Sequence, residues 1–274
     1  MATANVNGID LYYEVRGAGP TLVWLHGLME AIARSREIGE GVEELAERGF
    51  RVVSYDARGH GESGYTEDES HYTVQAHAED MAALFDHLGI ERAHLGGRSM
   101  GAGVSICLAL AHPERVERLV LLLPPALAAT LGPPQQVFGG LATLIEAQGL
   151  EQAVDVAMQL PQFVELRETD PQEYESMRGW LLSQRPASVV PAIRGLLVNG
   201  PPLPEERFAE IRAPALIVGQ PDDEIHPASS AETLHAAIAG SRLLMAPTFD
   251  YYRSHHDELL DAVASFLRED VAGK

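Results

Sequence analysis

The chain has 274 residues, 46% of them hydrophobic, which is long enough for one large core or for a core with an added cap. Its formal net charge of −20 argues against nucleic acid or an anionic membrane as a partner. The single cysteine, Cys107, excludes an intramolecular disulfide and fits a reducing compartment. The sequence contains neither a signal-peptide pattern nor an apolar run of membrane-spanning length, so we expect a cytoplasmic protein.

Alternating strands and helices run through the first 123 residues. The Asn7-Gly8 turn predicts an opening β-hairpin, with strands at 3–6 and 9–15. The later strands are short, mostly apolar runs, as in a sheet buried on both faces. These runs are at 21–25, 51–55, 93–96 and 119–123. Two helices are predicted between them, one with an apolar face from Ile38 to Ala46 and one over residues 74–88 that Gly89 ends.

The pattern changes after residue 123. Residues 124–208 contain no strand-like run, but several amphipathic segments separated by proline and glycine. Strand–helix alternation then returns from residue 215 to residue 268. Alternating elements require a parallel sheet with right-handed crossovers. We therefore predict an α/β fold with a core of residues 1–123 and 209–274 and a helical cap at 124–208.

Gly97-Arg98-Ser99-Met100-Gly101 lies between a predicted strand and a helix of small residues. A serine between two glycines at such a turn is a nucleophile elbow. The glycines are needed because the serine adopts a strained backbone conformation, and bulky neighbours would clash with the adjoining strand and helix. The helix N-terminus behind the serine favours developing negative charge. The pattern predicts that Ser99 is a nucleophile.

With these pieces in this order, the chain resembles the α/β-hydrolase superfamily, in the branch with a helical cap between the sixth and seventh core strands. The other resembling pieces are the His26-Gly27 turn, the D-x-R-G-H-G-x-S stretch at 56–63 and the Asp-containing turn at 219–227. The match covers essentially the whole chain. It implies a mostly parallel α/β-hydrolase sheet flanked by helices, with Ser99 as the nucleophile.

The resemblance also implies the groups around the nucleophile. It places an oxyanion hole at the backbone N–H groups of Leu28 and Met100. The family's acid stands four residues before a proline, which selects Asp223, with Asp222 as the alternative. A buried aspartate here would orient the catalytic imidazole and stabilise its charged form.

The catalytic histidine is missing from the place where the resemblance puts it. The family has a Gly-His pair after the last strand, whereas this chain has residues 249–251, Phe-Asp-Tyr, at that point. His255 and His256 follow at a plausible helix start. His255 lies nearer the expected loop and is the predicted base, with His256 as the alternative; both also fit as polar residues of a first helical turn. His226 is close to the acid but is assigned to the turn that leads into the next helix.

Two functions stay open at this point. If His255 reaches Ser99 and Asp223, the protein is a serine hydrolase acting on a small or medium hydrophobic ester or lactone through an acyl-enzyme. If Asp250 or Tyr251 fills the slot, the fold would serve as a lyase, isomerase or cyclase, or as a ligand-binding pseudoenzyme. No metal or other cofactor is expected, the expected partner is a small hydrophobic acyl substrate, and whether the chain forms a homodimer is left open.

Overall fold

A computed structural model describes residues 2–38 and 41–269. Its strands are β1 (Ala2–Val6), β2 (Ile9–Arg16), β3 (Thr21–Leu25), β4 (Arg51–Tyr55), β5 (Ala93–Arg98), β6 (Val116–Leu122), β7 (Ala215–Gly219) and β8 (Arg242–Met245). They form one sheet in the order β1-β2-β4-β3-β5-β6-β7-β8. The β1–β2 and β2–β4 pairs are antiparallel, and every pair from β4–β3 to β7–β8 is parallel. The predicted α/β fold is confirmed.

Helices cover both faces of this sheet. They are α1 (Ile32–Glu37), α2 (Val74–Leu88), α3 (Met100–Ala111), α4 (Gly132–Gln148), α5 (Leu150–Ala157), α6 (Pro161–Thr169), α7 (Pro171–Leu182), α8 (Pro186–Ile193), α9 (Ala228–Ala237), α10 (Tyr251–Ser254) and α11 (His256–Arg268). Within the part of the chain that the structure describes, no helix is long and apolar enough to cross a bilayer.

Successive residues of the strands alternate between two cores. Val23 and Leu25 of β3 belong to the core that α2 and α3 cover. Leu22 and Trp24 of the same strand lie in the core that α11 covers. Because both faces are buried, the strands have apolar residues at most positions, which explains their mostly apolar runs. Ser54 of β4 and His94 of β5 are buried polar exceptions. Each fully buried large side chain contributes roughly 1.5–3 kcal/mol to the free energy of unfolding.

Local signals account for the turns and helix ends. Asn7 and Gly8 both have positive φ, 46° and 77°, as a two-residue hairpin turn requires. The Thr73 hydroxyl accepts the Ala76 N–H at 3.1 Å and begins α2, and Gly89 ends it with φ 63°. The predicted helix at 74–88 is confirmed with these bounds.

One predicted helix is wrong. The apolar spacing from Ile38 to Ala46 predicts a single helix, but the structure has α1, which ends at Glu37, and a separate 3₁₀ turn at Glu43–Ala46. Residues 39 and 40 of that prediction lie outside the described residues. The sequence has glycine at positions 39 and 41, and glycine is unfavourable inside a helix, so the apolar spacing alone overestimates helix length here.

Helices α4–α8 lie between β6 and β7 and are followed by a π-helical turn at Arg194–Val198; we call residues 132–198 the helical insert. The insert packs over the loop after β3. Met29 of this loop shares an apolar cluster with Ile145 and Ile193, and its carbonyl accepts the Trp180 indole N–H at 2.7 Å. All these helices fall within the predicted cap at 124–208, whose boundaries stay a prediction.

A buried ion pair and two buried histidines lie at the turn after β4. Arg58 donates to both carboxylate oxygens of Asp80, at 2.9 and 2.8 Å, and both side chains are buried. His60 and His77 lie beside the pair, with ring centroids 6.5 Å apart. Burial lowers the pKa of His60 well below its ordinary value. Burial also lowers the pKa of His77 to about 4, although the Asp80 carboxylate opposes the shift.

We expect the free energy of unfolding to fall as the pH drops below about 6.5, the ordinary histidine pKa. In that range His60 and His77 bind protons in the unfolded chain while they stay neutral in the folded one. Each such histidine contributes a slope of about 1.4 kcal/mol per pH unit. For His77 the window closes near its folded pKa of about 4. Urea unfolding at a series of pH values, followed by circular dichroism, measures this slope.

The comparison of two variants isolates the contribution of His77. His77→Gln should have a shallower slope than the wild type between pH about 6 and about 4.5, whatever its stability at neutral pH. His71→Gln replaces an exposed histidine and should keep the wild-type slope. Equal slopes for the wild type and His77→Gln would contradict the assignment.

Candidate active site

Ser99 lies at the turn between β5 and α3 in a backbone conformation that is rare for a residue with a side chain, φ 53° and ψ −110°. The flanking glycines make this turn sterically feasible. A Cβ on Gly97 would come within 2.3 Å of the Gly101 carbonyl carbon, and one on Gly101 within 2.0 Å of the Leu25 carbonyl oxygen. The backbone therefore holds the Ser99 side chain at the carboxyl edge of the sheet, where parallel α/β folds place their ligands.

Ser99 lines a cavity of about 190 Å³, which we call the apolar chamber. The helical insert and the core both contribute apolar walls to it. These include Val74, Pro125, Ala126, Leu131, Phe138, Leu196, Leu197 and Leu203. Leu28 and Met100, the predicted oxyanion residues, line the same chamber, together with His226. An apolar ligand in this chamber would lie against the serine.

A second cavity of about 370 Å³, the polar chamber, adjoins the first. The two share the lining residues Leu28, Glu30, Arg98, Phe138, Ile225 and His226. Besides the shared Glu30 and Arg98, the charged side chains that line the polar chamber are Arg34, Glu173, Asp223, Asp250 and Arg253. Arg34 is buried and pairs with Glu173 at 2.6 Å. Among residues 2–38 and 41–269, no three His, Cys, Asp or Glu side chains are grouped so as to hold a metal ion.

The Asp223 carboxylate accepts four N–H donors in the loop after β7. One oxygen accepts His226 Nδ1 at 2.9 Å and Gln220 Nε2 at 2.7 Å, and the other accepts the backbone N–H groups of Ile225 and His226, both at 2.9 Å. Burial favours a raised pKa, but the hydrogen bond and charge of His226, with the other donors, hold the pKa of Asp223 well below its ordinary value. Asp223 is therefore ionised, whereas Asp222, the alternative acid, is exposed.

His226 is the imidazole that the structure brings to this site. Its side chain is 13% exposed, its Nδ1 is bonded to Asp223, and it lines the apolar chamber together with Ser99. Because Nδ1 donates to the carboxylate, Nε2 is the nitrogen that can accept a proton. The sequence interpretation assigned His226 to a turn without a catalytic role. The signal that could have identified it is the Asp-x-x-His spacing, since two backbone N–H bonds to one carboxylate turn the chain back on itself.

The loop after β8 contains no histidine at the expected position. Asp250, with φ 53°, begins α10, lines the polar chamber and donates its backbone N–H to Gln220 Oε1 at 3.1 Å. Gln220, a residue that the sequence interpretation missed, therefore connects this loop to Asp223. Tyr251 donates its hydroxyl to Glu258 at 3.1 Å and lines neither chamber.

The structure does not bring His255 or His256 to Ser99. His255 is exposed, its ring stacks on Tyr251 with centroids 4.0 Å apart, and its Nδ1 donates to the Tyr251 carbonyl at 3.0 Å. His256 Nε2 donates to the Gly41 carbonyl at 3.0 Å. Neither histidine lines the apolar or the polar chamber. The expectation for His255 is corrected for a local reason: the helical turn of α10 directs its ring along the surface.

The turn after β3 is held from two sides. His26 donates through Nδ1 to the Gly27 carbonyl at 2.7 Å and accepts the Ala57 N–H at Nε2, at 3.0 Å. Both ring nitrogens are thus used in backbone bonds, and His26 shapes the turn. Glu30 accepts the Gly27 N–H at 2.9 Å with one oxygen and pairs with Arg98 through the other. Since Arg98 precedes Ser99, this carboxylate links the predicted oxyanion turn to the turn that holds Ser99.

Comparisons with known proteins agree with the fold. The alpha/beta hydrolase fold family model matches residues 20–148. A 2-hydroxy-6-oxononadienedioate/2-hydroxy-6-oxononatrienedioate hydrolase of Paraburkholderia phymatum is 31% identical over 225 residues. That alignment covers 80% of this chain and 76% of the relative.

Solved structures extend the likeness over the whole fold. A hydrolase from Pseudomonas aeruginosa has a TM-score of 0.82 and 27% identity, with 98% of each chain covered. An enol-lactonase from Burkholderia xenovorans, at 23% identity, has a TM-score of 0.80, with 98% of this chain and 100% of the other covered. With the sheet order, the serine turn and these matches together, the chain belongs to the α/β-hydrolase superfamily.

Proposed function

We propose that this protein is a serine hydrolase that cleaves a small or medium-sized apolar ester or lactone through an acyl-enzyme intermediate on Ser99. One observation carries the proposal: Ser99 and His226 line the same apolar chamber, and His226 Nδ1 is bonded to the ionised Asp223. A nucleophile, a base and an orienting acid are the three groups that this chemistry needs. The proposed base is His226, in place of His255.

In the first step the Ser99 hydroxyl oxygen attacks the acyl carbon while His226 Nε2 takes the hydroxyl proton. Asp223, which accepts the Nδ1–H, stabilises the imidazolium that forms. Collapse of the tetrahedral intermediate breaks the bond to the leaving group, and the imidazolium protonates the departing oxygen. Water, deprotonated by the same imidazole, then attacks the acyl-enzyme, which releases the acid and restores Ser99.

The tetrahedral intermediate carries a negative oxygen that needs donors. Met100 is the first residue of α3, and the first N–H groups of a helix have no partner within the helix. Leu28 follows the turn that His26 and Glu30 hold, and it lines the chamber beside Met100. We propose these two backbone N–H groups as the oxyanion hole, to which the N-terminal end of α3 adds a favourable dipole.

The non-hydrolytic alternative rested on the absence of a histidine from the expected place after the last strand. His226 supplies one, which supports the hydrolase over a lyase, an isomerase, a cyclase or a pseudoenzyme. Tyr251 lines neither chamber, and Asp250 lines the polar chamber, which Ser99 does not line. The name of the Paraburkholderia relative, a hydrolase, points in the same direction.

A second substrate class is favoured by the guanidinium groups of the polar chamber. Arg34, Arg98 and Arg253 line it, and guanidinium groups pair well with carboxylates. The hydrolase from Paraburkholderia is named for a dioate, that is, a substrate with two carboxylates. An oxo-dienedioate is therefore the second candidate substrate. Four acidic side chains line the same chamber and oppose an anion, so the apolar ester is placed first.

Ser99→Ala should abolish covalent labelling by a fluorophosphonate, and His226→Ala should slow both labelling and ester hydrolysis by at least about a hundredfold. The reason is that Ser99 supplies the attacking oxygen and His226 accepts its proton. Intact-mass spectrometry follows the labelling, and p-nitrophenyl butyrate reports hydrolysis.

His255→Ala is the matched control, since this histidine lies outside both chambers and should keep the wild-type rates within about twofold. Loss of activity in His255→Ala with full activity in His226→Ala would refute the proposed base. A folded wild type that neither reacts nor hydrolyses any ester would refute the serine hydrolase itself.

Glu30 should act as a positioning residue, because its carboxylate joins the Gly27 N–H to Arg98. Glu30→Leu removes both contacts and should lower kcat about tenfold or more with little change in KM, since a lost charge-assisted hydrogen bond costs about 1.5–3 kcal/mol. Glu30→Gln keeps an oxygen for the Gly27 N–H and should recover part of kcat. Steady-state kinetics on one ester separates the two constants, and a rise in KM alone would indicate substrate binding instead.

A further inference from the structure

Gly103 occupies a helix position where neither the backbone nor the packing demands glycine. Its φ is not positive, and a Cβ there would make ordinary contacts, 3.5 Å to Pro125, 3.5 Å to Val74 and 3.7 Å to Leu203. In contrast, a Cβ on Gly97 or Gly101 would collide with backbone atoms. Glycine is among the least favourable residues inside a helix, so its presence at position 103 calls for a different reason.

The wall of the apolar chamber supplies that reason. Gly103 lies one helical turn beyond Ser99 in α3 and lines the chamber, as do Pro125, Val74 and Leu203. Any side chain at position 103 would extend among these three residues and occupy volume that is now empty. The missing side chain therefore makes the chamber deeper.

The positions of the catalytic groups indicate which part of the substrate enters which chamber. Ser99 and Met100 line the apolar chamber and are absent from the lining of the polar one, whereas Asp223 lines the polar one alone. His226 lines both. The acyl carbon must contact Ser99, and the leaving oxygen must reach His226, so a leaving group beyond that oxygen can continue into the polar chamber.

On the basis of the proposed function, we propose that the apolar chamber holds the acyl group and that Gly103 determines its depth. The preferred substrates are then esters or lactones with an extended apolar acyl chain and a polar leaving group in the polar chamber. Gly103 acts here as a specificity-determining residue, because the chemistry itself requires no contact with it.

Two ester series test this assignment on the wild type, Gly103→Ala and Gly103→Leu. The acyl series consists of p-nitrophenyl acetate, butyrate, hexanoate and octanoate, and the alcohol series of ethyl, butyl and hexyl acetate. The variants should lower the octanoate-to-acetate ratio of kcat/KM, by about fourfold for each methylene that no longer fits, and leucine should act more strongly than alanine. The hexyl-to-ethyl acetate ratio should stay the same in all three proteins.

Gly140→Ala is the matched control, because Gly140 is an exposed glycine of α4 with no atom within 4 Å of an added Cβ. Its rates and ratios should equal those of the wild type. An unchanged octanoate-to-acetate ratio in Gly103→Leu, or a change confined to the alcohol series, would overturn the proposal while leaving the serine hydrolase intact.

If the proposed hydrolase function itself is wrong, the wild type hydrolyses neither ester series. In that case calorimetry of octanoate binding tests the effect of Gly103 on the chamber. Weaker octanoate binding to Gly103→Leu than to Gly140→Ala would support the role of Gly103 in the depth of the chamber, although the hydrolase proposal had failed. Equal binding to the two variants would overturn the role of Gly103 as well.

Discussion

The Asp223 carboxylate is the group on which the candidate site depends. Its four N–H donors come from one imidazole, two backbone amides and one carboxamide, and together they fix the loop after β7. A charge buried this deeply is tolerated because every strong acceptor position is used. The same bonds orient His226 toward the chamber of Ser99 and, through Gln220, fix the start of the loop after β8. Asp223 therefore both orients His226 and supplies the negative charge beside its ring.

The proposed acid and base, Asp223 and His226, stand three residues apart in a single loop, whereas the superfamily pattern places the histidine after the last strand. The geometry tolerates this because the two loops are neighbours at the carboxyl edge of the sheet, as β7 pairs with β8. An imidazole from either loop can approach the serine turn. With His226 in this role, the loop after β8 is free to form the helical turn of α10 and to line the polar chamber with Asp250 and Arg253.

Much of the fold could be predicted from the sequence because its signals are local and strong. Buried strands need continuous apolar runs, and the Gly97–Gly101 spacing fits one kind of turn, so the sheet and the position of Ser99 could be read directly. The placement of His226 was not predicted, because it depends on a side chain that folds back onto a carboxylate three residues earlier. Composition and periodicity do not encode that contact, and its one sequence signal is the short Asp-x-x-His spacing. Gly39 and Gly41 argue against one continuous helix over the predicted range from Ile38 to Ala46. The prediction gave more weight to the apolar spacing than to these two glycines.

His226 was passed over, whereas His255 was predicted as the base although it lines neither chamber. Proximity in sequence to the expected loop favoured it, but position along a chain says little about direction in space. One helical turn between Asp250 and His255 is enough to point the ring along the surface, where it stacks on Tyr251. Whether a histidine lines the chamber of Ser99 identifies the candidate base, and His226 does so whereas His255 does not.

The hydrogen bond from Trp180 to the Met29 carbonyl has a consequence for the turn beneath the helical insert. Trp180 belongs to the helical insert, and Met29 directly follows Leu28, whose N–H is proposed to bind the oxyanion. If the insert moves away to admit a substrate, this bond must break, and the turn loses one of its anchors. The position of the insert and the shape of the proposed oxyanion turn are therefore linked through this hydrogen bond.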